Sequence, residues 1–373
     1  MRKFVIMIVC CLSMSIISQR RSESVNRRKY TEREQLFFLI LTCYMTVFAG
    51  LRTNYNDTIA YFRNFSNVAS FPAVFDNMDW ALGSNPGFRI YLSIIKALSN
   101  NKQIFLLISS AFVLFVHMWF IRKHSYSFTF SLFLFFMLGY YAFTMAAIKQ
   151  TMGTAFALIG LDFLLQGKKV PYVLFVLLGM LFHPYAFLFF LAPILMKQIP
   201  WRSGTWTLII LTLIASYSFN FLLGTILDIT DVLGEEYDST TFLGDGINVF
   251  RVIVYFVPVF ISFFWRRTLF LHSTKTENLF VNCSIVSALI MFVGLFGNAT
   301  MFSRLAVYFD PLNFLTIPWM LYKLRGELSG RLLTVGAYGA YSCFFYFDNV
   351  IMASFEYNFS SITLWQFINS IFN

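Results

Sequence analysis

The chain has 373 residues, of which 58% are apolar, 20% aromatic and only 12% charged, whereas a soluble globular protein is about 25% charged. Apolar runs of spanning length recur along it, so the chain reads as an all-α polytopic membrane protein with a single membrane domain over residues 1–373. The net charge of +10 does not indicate nucleic acid, because the basic residues fall in short clusters between apolar runs.

The start, "MRKFVIMIVCCLSMSIISQRR", has the basic end and apolar stretch of a signal peptide. It lacks a small-residue cleavage site and ends in basic residues, so an uncleaved first span is expected. Twelve apolar segments are predicted, at about 4–18, 35–51, 103–121, 127–147, 150–166, 170–183, 185–197, 204–223, 249–265, 278–296, 304–322 and 331–347. Alternate connections carry 18 of the 28 lysines and arginines, from the Arg20–Arg33 cluster to Lys323, Arg325 and Arg331, with only five acids. The opposite side carries ten basic residues and twelve acids. The basic connections belong in the cytoplasm, which puts both termini outside.

Two outer segments exceed turn length. Residues 52–102 mix aromatics with charges and predict two short amphipathic helices at the interface. Residues 224–248, with Asp228, Asp231, Glu235, Glu236, Asp238 and Asp245, read as a solvated acidic loop. The cysteines (Cys10, Cys11, Cys43, Cys283 and Cys343) lie in or beside apolar segments with no C-x-x-C, as small buried residues do.

Several chemistries are excluded by missing motifs. The chain has no G-x-x-x-x-G-K-[ST] loop, no G-x-G-x-x-G and no H-E-x-x-H. Its four histidines are scattered, which disfavours a metal site, and no Asp-x-Asp pair is present to hold a divalent ion on a sugar nucleotide. A transferase built this way uses no metal and no cofactor, and needs a donor carrying its own leaving group.

Polar residues set into apolar runs are the candidates for function. In "YYAFTMAAIKQTMGTAFALIG", Lys149 and Gln150 stand at the outer end of a helical hairpin. A helix starting there places Lys149, Gly153, Phe156 and Gly160 on one face, small enough for a neighbouring helix to come close. A cation at a helix start forms an anion site; the alternative is a turn whose lysine snorkels to headgroups. His183-Pro184 divides 170–197 into two short helices, because proline disfavours helix in the residue before it. His183 is then a general base, a donor to phosphate, or a structural cap on free carbonyls. Arg304 opens another span from outside, and Arg52, Asp57, Arg63 and Arg89 sit in the large outer loop, each with an ordinary interfacial role as the alternative. Asp162 reads as an anchor near Lys168 and Lys169. The Asn-x-Thr/Ser triplets at Asn56, Asn64, Asn298 and Asn358 matter only in a secretory setting.

The segments "LRTNYNDTIAYF", "NPGFRIYLSIIK", "AAIKQTMGTAFALI", "LFHPYAFLF" and "SRLAVYF", in that order, resemble the EpsG-like group of Wzy-type polysaccharide polymerases over about residues 36–322. The resemblance implies a bacterial cytoplasmic (inner) membrane enzyme. It would join undecaprenyl-pyrophosphate-linked oligosaccharide repeat units on the outer face, for O-antigen or exopolysaccharide. Its implied partners are that lipid-linked oligosaccharide, membrane lipid and a chain-length regulator protein. On this reading Lys149, Gln150, Arg89, Arg52, Tyr55 and Tyr308 bind the pyrophosphate or sugar, and His183, Asp57 and Arg304 carry the catalysis. The family often has Arg-Gln where this chain has Lys149-Gln150, and a fuller Gly-x-Asp-Tyr near Tyr55-Asn56-Asp57. Lysine binds phosphate as a point charge without arginine's fork. Other readings are a lipid-oligosaccharide flippase, which is expected to show related halves, another transferase or ligase on the same lipid, and a structural partner in a polysaccharide complex.

Overall fold

The computed structural model describes residues 2–19, 30–218, 229, 246–326, 328–352 and 359–372. The acids of the predicted acidic loop lie outside these residues. Almost every described element is helical. Helices α1 (Arg2–Ser18) and α2 (Glu32–Gly50) lie side by side, and α2 also packs on α5 (Lys102–His124). Between α2 and α5 the predicted large loop contains strand β1 (Arg52–Asn54) and two short helices, α3 (Thr58–Asn67) and α4 (Pro86–Leu98). Both have one apolar face: α3 buries Thr58, Tyr61 and Phe65 at helical spacing.

The expected span 127–147 is instead two helices, α6 (Phe128–Met137) and α7 (Tyr140–Ala146), meeting at 57°. The cause is Gly139, whose φ of 74° is a left-handed conformation that residues with a side chain seldom adopt. The sequence "FTFSLFLFFM" of α6 is apolar on every side, and nine of its ten residues are buried. It is the centre of the bundle.

Next come α8 (Ile148–Leu165), α9 (Lys169–Phe182), a 3-10 stretch (Pro184–Leu191) and α10 (Ala192–Lys197). α8 and α9 form a tight hairpin, and its closeness follows from the predicted small-residue face. A Cβ on Gly179 would sit 2.7 Å from the Gly153 carbonyl oxygen, and one on Gly160 2.9 Å from that of Tyr172. The chain then forms α11 (Ser203–Tyr217), α12 (Val249–Phe264), α13 (Arg266–Leu269) and α14 (Lys275–Val293). The expected span 304–322 is broken into α15 (Ala299–Ala306), a 3-10 turn (Val307–Phe309) and α16 (Asp310–Leu324). α16 is the second buried helix: Phe314 meets Phe135 of α6 edge-on at 5.7 Å, and its carbonyl accepts from Ser131 Oγ at 2.7 Å.

α17 (Leu328–Phe345) continues into a π-helical turn, Tyr346–Met352. Strand β2 (Ser360–Ser361) then pairs antiparallel with β1, Arg52 opposite Ser361, and α18 (Leu364–Phe372) follows. The sequence pattern did not predict this return.

Among the described residues α5, α8 and α14 are long and apolar enough to cross a membrane, and α6 with α7 makes a fourth if the bent pair is one span. α9, Pro184–Lys197, α11 and α12 are shorter apolar helices. α9 and α11 leave Leu174, Leu177, Ile210, Leu211, Leu213 and Ile214 exposed, a surface that lipid covers and water does not favour.

The bundle has two polar ends. Asn101, Ser127, Asn298 and the capping boxes Thr31/Glu34 and Thr274/Glu277 satisfy helix-start amides there. Asn298, one of the Asn-x-Thr triplets, accepts from the Thr300 and Met301 amides. The predicted anchor Asp162 is held by Lys123 Nζ at 2.7 Å, His124 Nε2 at 2.8 Å and Gln166 Nε2 at 2.7 Å. Its partners therefore come from the end of α5 and its own last turn, and the expected neighbours Lys168 and Lys169 are not the residues that hold it.

Candidate functional site

The end opposite Asp162 collects most of the candidate residues. α8 starts at Ile148 with no side chain capping it, so its first amides need partners from elsewhere. Tyr61, brought over by the apolar face of α3, hydrogen-bonds the Lys149 backbone. The Lys149 ammonium lies 5.8 Å from the centre of the Phe88 ring, a cation–π contact with α4. Lys149 and Arg89 together line an open cavity of about 320 Å³, with Asn64, Asn67 and Ser84 as its other polar groups. Two cations among neutral amides and a hydroxyl make a place for an anion.

His183 lies at the predicted break. α9 ends at Phe182, and His183 has extended backbone (φ −158°, ψ 120°) before Pro184. The Gly153–Gly179 approach lays this break against α8, so the His183 ring belongs to the same region as Lys149. Its Nδ1 is 2.6 Å from the hydroxyl of the fully buried Tyr308. The partner of the ring is thus a tyrosine hydroxyl, in place of the backbone carbonyls of the capping alternative. Among the described residues, Lys149 and Arg304 lie near enough for their charge to act on this ring.

Gln150, 2% exposed, donates from Nε2 to the Arg304 carbonyl at 2.6 Å. It therefore fixes the α15 segment to the start of α8, while the Arg304 side chain is exposed. Asp57 is also exposed, at the start of α3, and with Arg304 its charge bears on Tyr61. Lys149, Gln150, His183, Arg304 and Tyr308 thus come together, with Asp57 and Arg89 at the margins.

Arg52 does not face this space. It is fully buried, and its guanidinium donates to the Ala49 carbonyl, the Met145 carbonyl at 3.0 Å and Thr58 Oγ1 at 3.1 Å. It ties the end of α2 to α3 and α7. Tyr55 faces a different cavity, of about 220 Å³, together with Arg251, Tyr255, Asp310, Asp348 and Asn349. Sequence reasoning missed Tyr61, Asn64 and this second group. The signal for Arg251, Asp310 and Asp348 was the one used for Lys149, a charge inside an apolar run. The signal for Tyr61 was the 58-61-65 spacing of α3.

Residues 35–361 match the EpsG family. The chain belongs to the EpsG family. Neither a curated protein nor a solved structure matches it. As an EpsG-family chain with several apolar helices, it is a multi-pass membrane protein of polysaccharide biosynthesis, and its membership is consistent with a glycosyltransferase-like polymerase.

Proposed function

We propose that this EpsG-family protein is a polysaccharide polymerase of the Wzy type. It would transfer a growing glycan from undecaprenyl pyrophosphate to a second lipid-linked repeat unit, at the outer face of the bacterial inner membrane. The observation that carries the reading is the convergence of Lys149, Arg304 and the His183–Tyr308 pair at one helix start and one helix break. Such a donor brings its own leaving group, and the protein's task is to stabilise charge as the glycosidic C–O bond breaks. Preorganised donors do this best, at about 3–4 kcal/mol for one good group.

In this mechanism Lys149 and Arg304 hold the departing pyrophosphate, with Arg89 on the far side of the Lys149 cavity. Gln150 positions Arg304 through its backbone. The 2.6 Å contact with Tyr308 fixes the orientation of the His183 ring, leaving Nε2 for the acceptor hydroxyl or for a phosphate oxygen. As a base, Nε2 takes the proton of the attacking hydroxyl, the acceptor oxygen bonds the anomeric carbon, and undecaprenyl pyrophosphate leaves with the electron pair. The twelve-span topology, with both termini and residues 52–102 outside, completes the proposal by putting this site on the glycan side of the membrane.

Deletion of the gene followed by electrophoresis of surface polysaccharide tests the activity. A polymerase defect leaves single repeat units on their carrier and removes long chains. Loss of single units as well would identify a flippase and overturn the reading. Unchanged long chains would exclude both.

A further inference from the structure

We infer that the cavity between Tyr55, Tyr255 and Asp310 binds the acceptor saccharide, as a neutral polyhydroxylated ligand. This inference rests on the polymerase reading for the word acceptor; the ligand class follows from the cavity itself. Its lining includes one cation and two carboxylates, and the cation is already matched. Arg251 donates from Nε to Asp348 Oδ1 at 2.6 Å and from a terminal nitrogen to Oδ2 at 2.9 Å. A pyrophosphate finds no available positive charge there and meets a second carboxylate, Asp310. Hydroxyl groups meet what they need: carboxylate acceptors, amide donors and aromatic faces.

One polar group is left open. Asn349 is 5% exposed, and its Nδ2 has no hydrogen-bond partner among the described residues. A buried amide donor is costly to leave unmet. This one lines the cavity beside Gly139, where a Cβ would stand 3.4 Å from the Asn349 side-chain oxygen. Asp310 is also largely satisfied by protein, accepting from Tyr255 at 2.8 Å and from Asn313 at 3.0 Å. Those two bonds hold the carboxylate in place and leave lone pairs for a ligand.

The position fits a second substrate. Ser303 and Val307, four residues apart on one side of the α15 segment, line this cavity. Arg304 and Tyr308, also four apart, belong to the His183 site. One turn of backbone therefore separates the anion-binding groups from the saccharide cavity, as transfer between two carrier-linked substrates requires.

Two probes test this on the purified full-length protein in nanodiscs. One is undecaprenyl pyrophosphate. The other is the free repeat-unit oligosaccharide, released by mild acid from the producing strain's lipid-linked pool. Saturation-transfer NMR reads the saccharide and a filter assay with labelled lipid reads the carrier. Asn349→Leu and the isosteric Asn349→Asp should each weaken saccharide binding by about tenfold and leave carrier binding unchanged. Lys149→Ala should do the reverse. Thermal melts of both Asn349 variants guard against misfolding, and Asn349→Asp keeps the shape if the leucine does not fold. Failure of the wild type to bind the saccharide, or equal binding by the Asn349 variants, overturns the inference. Saccharide binding as expected, with carrier binding indifferent to Lys149, would instead overturn the pyrophosphate reading and leave this cavity standing.

Discussion

The two polar ends of the bundle solve the same problem, charge at the edge of an apolar bundle, in different ways. At the Asp162 end the side chains answer one another. Asp162 is met by Lys123, His124 and Gln166, and Glu277 by Tyr126 and its own capping threonine. Arg122 is met by the carbonyls of Ser18 and Glu34. At the Lys149 end, Lys149 and Arg89 line one cavity whose other polar groups are neutral, and the Lys149 ammonium also lies over the face of Phe88. A fully answered charge is architecture. Two cations that share a cavity with no acid in its lining suit a ligand of the opposite sign.

The comparison breaks most visibly at His183. His183→Gln keeps hydrogen bonding but loses a titratable nitrogen, so a catalytic base predicts polymerisation slowed by about 10²–10⁴-fold at normal protein level. Pro184→Ala should matter less, because it alters the break and leaves the imidazole. An active glutamine variant would remove His183 from proton transfer and make the exposed Asp57 the better base; chain-length profiles on gels report which holds.

Lys149 comes next. Lys149→Ala should cut transfer by about 10²–10³-fold while the protein still inserts, and Arg304→Ala should follow the same pattern. Lys149→Arg should keep substantial activity, because charge is retained and the guanidinium fork suits phosphate. Wild-type chain lengths in Lys149→Ala would return it to a lysine reaching for headgroups.

Arg52 sharpens the contrast from the same end of the molecule. Its donors all go to protein atoms, so Arg52→Ala should leave three buried acceptors unmet and cost about 2–3 kcal/mol of stability. The readout is loss of folded protein in detergent melts. A stable but inactive Arg52→Ala would put this arginine among the substrate contacts after all.

The smallest effect belongs to Asp162. Lys123 is substantially exposed, with 41% of its side chain accessible, and water takes over its charge when the carboxylate goes. Asp162→Asn should therefore cost about 1 kcal/mol, with chain length unaltered. A polymerisation defect at normal protein level would contradict its purely architectural role.

How much of this was legible in the sequence depends on range. Lys149, His183 and Arg304 were readable singly, because each interrupts an apolar run, and Pro184 marked the break by backbone sterics alone. Gly153 and Gly160 announced a close neighbour but not its identity, since α9 is fixed only by three-dimensional packing. The bend at Gly139 was hidden in an unbroken apolar run, where one left-handed glycine leaves no trace in periodicity. Pairings such as Arg251 with Asp348, 97 residues apart, have no local signature. Arg52 shows the converse: its charge was visible, and only its burial revealed that two carbonyls and the Thr58 hydroxyl occupy it.

The pairing of β1 with β2 bears on when the site becomes complete. Thr53 meets Ser360 across 307 residues of chain, and the Ile362 amide closes on the Leu51 carbonyl at 3.0 Å. Just beyond β1 lie Tyr55, Asn56 and Asp57. A chain made only through the earlier helices still lacks the strand that pairs with this loop, so the loop is held only once residues 360–362 have been made. C-terminal truncations that remove residues 359–362 should therefore lose activity, and orientation is better mapped with internal insertions that leave those residues in place.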